Sequence, residues 1–307
     1  MLASLCEDCN RSVVGQFEFD PLPIFPTRVN RVSDCVDSQY NRRRMKCSRL
    51  SLYAVFVAFF TLLVIMSGAA VTTSRGLFQN VHIVHIVAGA TDGLLVAGLC
   101  LWLRRGWSIL AIVIVDAGLG RFEGPVPGTL HACLAALLFA SVAAISLFTS
   151  RSWQRDPELV QDYGRPSLPF LSGAVALLVA LQVAFGAGFR HKAVGVLPHL
   201  LGAMVVALFI MILGAFVSIQ FPKHPTLRPM AAAFMTLTGI QVCLGMAAFL
   251  MRLMNLAGTK TFLAISVAHV ATGNLILAAS AMLALEIRRS VLPRVVGDGA
   301  VRSVNRH

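Results

Sequence analysis

Apolar runs of about 20 residues, separated by short polar segments, recur along most of this chain. As helices, such runs match the hydrocarbon thickness of a bilayer, about 30 Å. They fall at residues 50–72, 82–103, 107–120, 129–149, 169–189, 196–219, 229–251 and 262–287, the third being short for a crossing. A linker of mixed charge from Arg151 to Arg165 divides them into two groups of four. The pattern predicts an all-α integral membrane protein whose eight transmembrane helices form two tandem four-helix bundles. The segments are a cytoplasmic, disordered tail over 1–48, an N-terminal half over 49–150 and a cytoplasmic linker over 151–168. A C-terminal half over 169–288 and a cytoplasmic tail over 289–307 complete the chain.

Composition agrees: 57% of the 307 residues are hydrophobic and 13% are charged, about half the charged share of a soluble domain. The net charge of +12 would fit nucleic acid in a soluble protein, but its placement gives orientation instead. With the N-terminus inside, 20 of the 26 Lys and Arg residues lie in inner segments and 6 in outer ones. Both termini are therefore expected in the cytoplasm, in the inner (plasma) membrane of the cell, with no nucleic-acid partner. The first 44 residues show no periodicity and end in Asn41-Arg42-Arg43-Arg44. They read as a disordered tail, or as a start placed upstream of the real one, and they lack the apolar core of a signal peptide. Cys6, Cys9, Cys35 and Cys47 are too irregularly spaced for a standard four-thiolate site, while Cys100, Cys133 and Cys243 read as small buried hydrophobes.

Four histidines change the picture. His85, His131, His199 and His269 each sit near the start of every second apolar run, with Gly89, Ala135, Ala203 and Gly273 one turn later. A titratable ring in hydrocarbon is costly without a partner, so four at matching depth mark function. A histidine beside a small residue can hold a haem iron with the macrocycle against the helix. The preceding runs end alike, in Asp116-x-x-x-Gly120, Gln182-x-x-x-Gly186 and Gln241-x-x-x-Gly245, which indicates a duplicated four-helix unit. His85 would then face His131, and His199 face His269, giving two haem sites toward the outside. The bland alternative, core histidines bonded to backbone carbonyls, does not account for the shared depth or for the repeat.

Several stretches resemble the haem A synthase family: Leu130-His131-Ala132-Cys133-Leu134-Ala135, Gly186 to His191, Leu197 to Ala203, and Ala268-His269-Val270-Ala271-Thr272-Gly273. The similarity covers about residues 50–290. It implies haem b between His199 and His269, and haem O as substrate between His85 and His131. One ring methyl would be oxidised to formyl, giving haem A for terminal oxidases. It also implies a haem O synthase and an electron donor as partners, besides the lipid bilayer. This chain departs from the family where the second run usually carries Glu-x-x-His-Arg, reading His82-Ile-Val-His85-Ile86. The first outer loop also lacks the family's Cys-Pro-Asp-Trp-Pro-like run.

Carboxylates inside apolar runs are functional flags, so Asp92 and Asp116, with His82, are the catalytic candidates in place of the missing glutamate. The competing reading for the two acids is a bond to a neighbour such as Ser67 or Thr91. Arg190 and His191 are candidates for holding haem propionates, since an arginine fork suits carboxylates. His224 and His307 carry no functional case. Two other classes compete with the enzyme: a haem-binding membrane cytochrome or haem-handling protein without the chemistry, and a transporter. The transporter is disfavoured because the histidines lie near one face rather than at the midplane.

Overall fold

The computed structural model describes residues 29–74, 80–104 and 106–292, with residues 29–48 as backbone only. Its helices are α1 (Val29–Ser74), α2 (Val81–Leu103), α3 (Trp107–Leu119), α4 (Pro125–Phe148), α5 (Leu168–Arg190), α6 (Val196–Gln220), α7 (Leu227–Leu253) and α8 (Lys260–Ser290). Seven are long and apolar enough to cross a membrane, α1 over Arg49–Ser74. The eighth, α3, has 13 residues; at about 20 Å it falls short of the hydrocarbon core. The short third run is thus a helix, but not one that crosses by length.

The helix starts follow from local chemistry. Pro125 and Pro169 stand in the first turns of α4 and α5, where no intrahelical N–H is needed. The Thr259 side chain accepts the N–H of Phe262 at the head of α8. Between α2 and α3 the chain turns through Arg104 at φ 51° and Gly106 at φ 117°, the latter a region open to glycine.

Two expectations about the N-terminus and the cysteines change. The backbone is helical from Val29, inside the stretch read as a disordered tail. Val29, Val32, Val36 and Tyr40 recur there at helical spacing among polar and basic residues, a short stripe that the charge around it masks. Residues 1–28, with Cys6 and Cys9, lie outside the described residues. Cys100 is buried as expected, but Cys133 is half-buried and Cys243 exposed, on the least buried of the seven long apolar helices.

α1 to α4 form one closed set of neighbours, α1 returning onto α4, and α5 to α8 form a second, closed by α5 against α8. The sets share surfaces, with α8 lying against α1 and α4, and α4 against α5. Accordingly Ala136 and Ala140 of α4 join the core around Phe234, Leu213 and Leu283, while Ala278 of α8 joins the core around Val57, Leu99 and Val142. Outward faces are apolar: Leu94, Leu101, Trp107 and Ile219 are about three-quarters exposed. Surface of that kind, over α1, α2 and α4 to α7 but not over the more enclosed α8, calls for lipid rather than water.

The linker is docked, not free. Val160–Gln161 (β1) pairs in parallel with Val291–Leu292 (β2), the two strands among the described residues. Buried Asp162 accepts the N–H of Gly164 at 2.9 Å and of Leu168 at 2.7 Å, capping α5. Buried His224 accepts the N–H groups of Thr226 and Leu227 through Nδ1 at the start of α7, and its Nε2 donates to the Glu158 carbonyl at 3.1 Å. Arg289 lies 4.5 Å from the Trp153 ring centre and donates to the Arg155 carbonyl.

Candidate functional site

Each of the four histidines lays its ring against a glycine on the preceding helix. A Cβ built at Gly68 would stand 2.9 Å from Cε1 of His85, at Gly120 3.4 Å from His131, at Gly186 2.9 Å from His199, and at Gly245 2.8 Å from His269. The polar-x-x-x-Gly pattern at the ends of α3, α5 and α7 is therefore a seat: glycine takes the ring, and the polar residue one turn earlier reaches its nitrogens. The fourth copy is Val64-x-x-x-Gly68 in α1, where Ser67 supplies the polar group. Sequence reasoning missed it because the polar residue stands in a different helical phase.

The hydrogen bonds settle which nitrogen is free in the N-terminal pair. Ser67 donates to the Val64 carbonyl at 2.7 Å, so its oxygen accepts from Nδ1 of His85 at 2.8 Å. Nδ1 of His131 lies 2.9 Å from Oδ1 of Asp116 and 3.1 Å from its carbonyl oxygen, both acceptors. In each ring Nδ1 carries the proton and Nε2 keeps its lone pair. Histidines that bind metals are oriented by such an outer partner.

The C-terminal pair is held by glutamines. Gln182 Nε2 lies 2.9 Å from Nδ1 of His199 and donates to the His199 carbonyl at 2.8 Å, while its Oε1 is buried without a partner. Half a turn of the amide would instead offer Oε1 to an Nδ1–H. Gln241 Nε2 lies 3.4 Å from Nε2 of His269, Thr272 donates to Gln241 Oε1, and Nδ1 of His269 is buried without a partner.

The rings meet in pairs, in the combination expected. His85 and His131 have centroids 6.1 Å apart at 80°, and His199 and His269 have centroids 6.2 Å apart at 88°. Two imidazoles on one metal ion, with bonds of about 2.0 Å and ring centres about 1.1 Å behind the nitrogens, stand about 6.2 Å apart. Among the described residues no three of His, Cys, Asp and Glu converge. A bare zinc ion takes three or four protein ligands, whereas iron already held by a macrocycle needs two axial ones. The two pairs fit the second case.

The remaining candidates divide. Asp116 is at the N-terminal pair through His131. Asp92 is buried and accepts from Thr61 at 2.9 Å, rather than bonding Ser67 or Thr91. His82 is exposed. Arg190 ends α5, half-buried, with His191 next to it packed against Gly128. Burial first, then the Arg190 charge and His131, hold the His191 pKa below its usual value.

The two pairs are enclosed differently. α3 stops at Leu119, one residue before the seat of His131, and only the turn to Gly124 follows. α7 runs eight residues past Gly245 to Leu253, about 12 Å further. No protein-family model matches the chain, and a search of curated proteins finds no relative.

Proposed function

We propose that this membrane protein binds two haems, each clamped by one histidine pair, and that it is a haem A synthase-like oxidoreductase. The observation that carries the reading is the pair of centroid distances, 6.1 and 6.2 Å, found twice on the same glycine-seated geometry. In this reading α3, with the turns at its two ends, completes an eighth crossing, since His85 and His131 at the heads of α2 and α4 lie side by side. The chain is then two tandem four-helix bundles, with both termini and the linker in the cytoplasm of a cell with this protein in its inner membrane. The histidines then lie toward the outer face.

The roles divide by enclosure and charge. His199 and His269 hold a resident haem b, which supplies one-electron chemistry when bound. His85 and His131 hold the substrate haem O, whose ring methyl is oxidised to formyl by two successive hydroxylations. Each takes one oxygen atom from molecular oxygen while two electrons from the donor and two protons reduce the other to water, and the resulting gem-diol loses water. Ser67 and Asp116 fix the ring tautomers there. Asp116 is the carboxylate in contact with the site and handles protons near the substrate; Asp92 and His82 are more distant candidates. A haem O synthase and an electron donor complete the partners.

The alternative is a haem-binding cytochrome or haem-handling protein without the oxidation. It is favoured by one observation: where the family carries glutamate, this chain has exposed His82. Co-expression with a haem O-forming enzyme, followed by pigment extraction, separates the two. Haem A or a hydroxylated intermediate supports the enzyme. Haem O left unchanged, with a low-spin haem still on the protein, supports the alternative.

A further inference from the structure

Asp92 is buried, and Thr61 donates the one hydrogen bond that its carboxyl group makes among the described residues. It stands seven residues after His85, and Thr61 stands seven before Gly68. Their contact therefore lies in the same α1–α2 seam as the seat of His85, about 10.5 Å deeper. The internal repeat shows what this layer requires. Seven residues after His131, His199 and His269 stand Leu138, Val206 and Ile276, all buried. Three of the four units close the layer with an aliphatic side chain, so packing does not ask for an acid. A carboxyl group there is costly in hydrocarbon and marks a use. Asp92 also lies within electrostatic reach of Asp116, the partner of His131, and so belongs to the space beneath the first pair.

We infer that Asp92, oriented by Thr61, reads a hydroxyl on the inner edge of a macrocycle clamped by His85 and His131, and so selects a hydroxyalkyl-substituted haem over one with only hydrocarbon there. The inference rests on the haem reading and deepens it. Haem O carries such a hydroxyl on the first carbon of its long side chain, where iron protoporphyrin has a vinyl group. With its carboxylate edge at the outer surface, the macrocycle turns the opposite edge toward Asp92. A hydroxyl one carbon off the ring lies about 6–7 Å from the iron, and a hydrogen bond of about 2.7 Å extends the reach to about 9–10 Å. That is the depth of two helical turns. The second pair meets Val206 and Ile276 at this level and makes no such distinction. Asp92 thus takes part in binding, apart from the proton handling at Asp116.

The test uses the full-length chain in two forms. His199→Ala leaves only the N-terminal pair to clamp iron, and His131→Ala leaves only the C-terminal pair. Two probes differ by hydroxyl groups alone: iron haematoporphyrin, with hydroxyethyl substituents, and iron mesoporphyrin, with ethyl ones. At the N-terminal pair the hydroxylated probe should bind at least about tenfold more tightly, both giving a low-spin spectrum, while the C-terminal pair shows no such preference. Asp92→Leu in the His199→Ala chain should remove the preference, with the mesoporphyrin complex intact as proof of fold, and Asp92→Asn should keep part of it. No preference at the N-terminal pair, an equal one at both pairs, or one that survives Asp92→Leu overturns the role of Asp92 and leaves the haem reading intact. Comparing the two pairs needs no change at Asp92, so it decides the matter even where Asp92→Leu fails to assemble. If neither probe gives a low-spin spectrum at either pair, the haem reading fails and this role with it.

Discussion

Gly245 and His269 exclude any larger residue between them: a methyl group on the glycine would lie 2.8 Å from Cε1 of the ring. Backbone and imidazole are as close there as atoms allow, so the ring direction is set by the neighbouring helix rather than by its own.

Gly245→Ala and Gly186→Ala should therefore displace His269 and His199 at a cost of about 1–3 kcal/mol, and abolish or convert to high spin the absorption of the C-terminal haem. Gly120→Ala, where the added carbon would stand 3.4 Å from His131, should be milder than Gly68→Ala. At Gly239 nothing lies within 4 Å. Alanine there should leave the spectrum alone and raise helix stability by up to about 1 kcal/mol. Absorption spectra of the purified variants check the order.

Asp116 is the carboxylate in contact with a paired ring. Asp116→Asn should lower haem A formation by at least about a hundredfold, leaving the low-spin C-terminal signal unchanged. Asp92→Asn and His82→Ala should cost less, since Asp92 bonds Thr61 and His82 faces outward. Pigment extraction after haem O supply reads all three. An Asp116→Asn protein with full activity removes that residue from the chemistry.

Much of this site is legible in the sequence. The four histidines stand at equal depth in alternate helices, and three polar-x-x-x-Gly runs precede them; depth is a matter of counting residues. Partners are harder. In a lipid-facing helix both faces are apolar, so hydrophobic periodicity does not give rotation about the axis. Without rotation Ser67 is not assigned to His85, nor Gln182 to His199. Thr61 escapes notice as the partner of Asp92 for the same reason. The linker is a different case: the caps made by Asp162 and His224 depend on where the backbone turns, which a pattern of mixed charge does not give.

Asp162→Ala should cost about 1–2 kcal/mol, since it leaves the N–H groups of Gly164 and Leu168 without their acceptor. His224→Ala should act similarly on α7. Both should lower the thermal midpoint in detergent and expose the linker to protease, with histidine ligation unaffected. Unchanged protease resistance in both would show that the caps do not hold the linker.

His191 titrates below the usual histidine value because of burial, Arg190 and His131. The unfolded chain then binds more protons than the folded one as pH drops through about 6.5. The associated stability is complete above that pH and is lost on acidification toward the lower folded value. His191→Gln should flatten the pH dependence of the thermal midpoint between about pH 7.5 and 5.5. Parallel curves for the two proteins would contradict it.

α3 ends level with the ring of His131, while α7 continues well beyond that of His269. On the two-haem reading, a guest of the first pair would leave past a short turn, whereas a guest of the second would be walled by a longer helix. The same kind of ligand pair behind unequal walls would then give different residence times. One pocket would serve as a waiting room that empties and refills, the other as a fixture loaded once and kept.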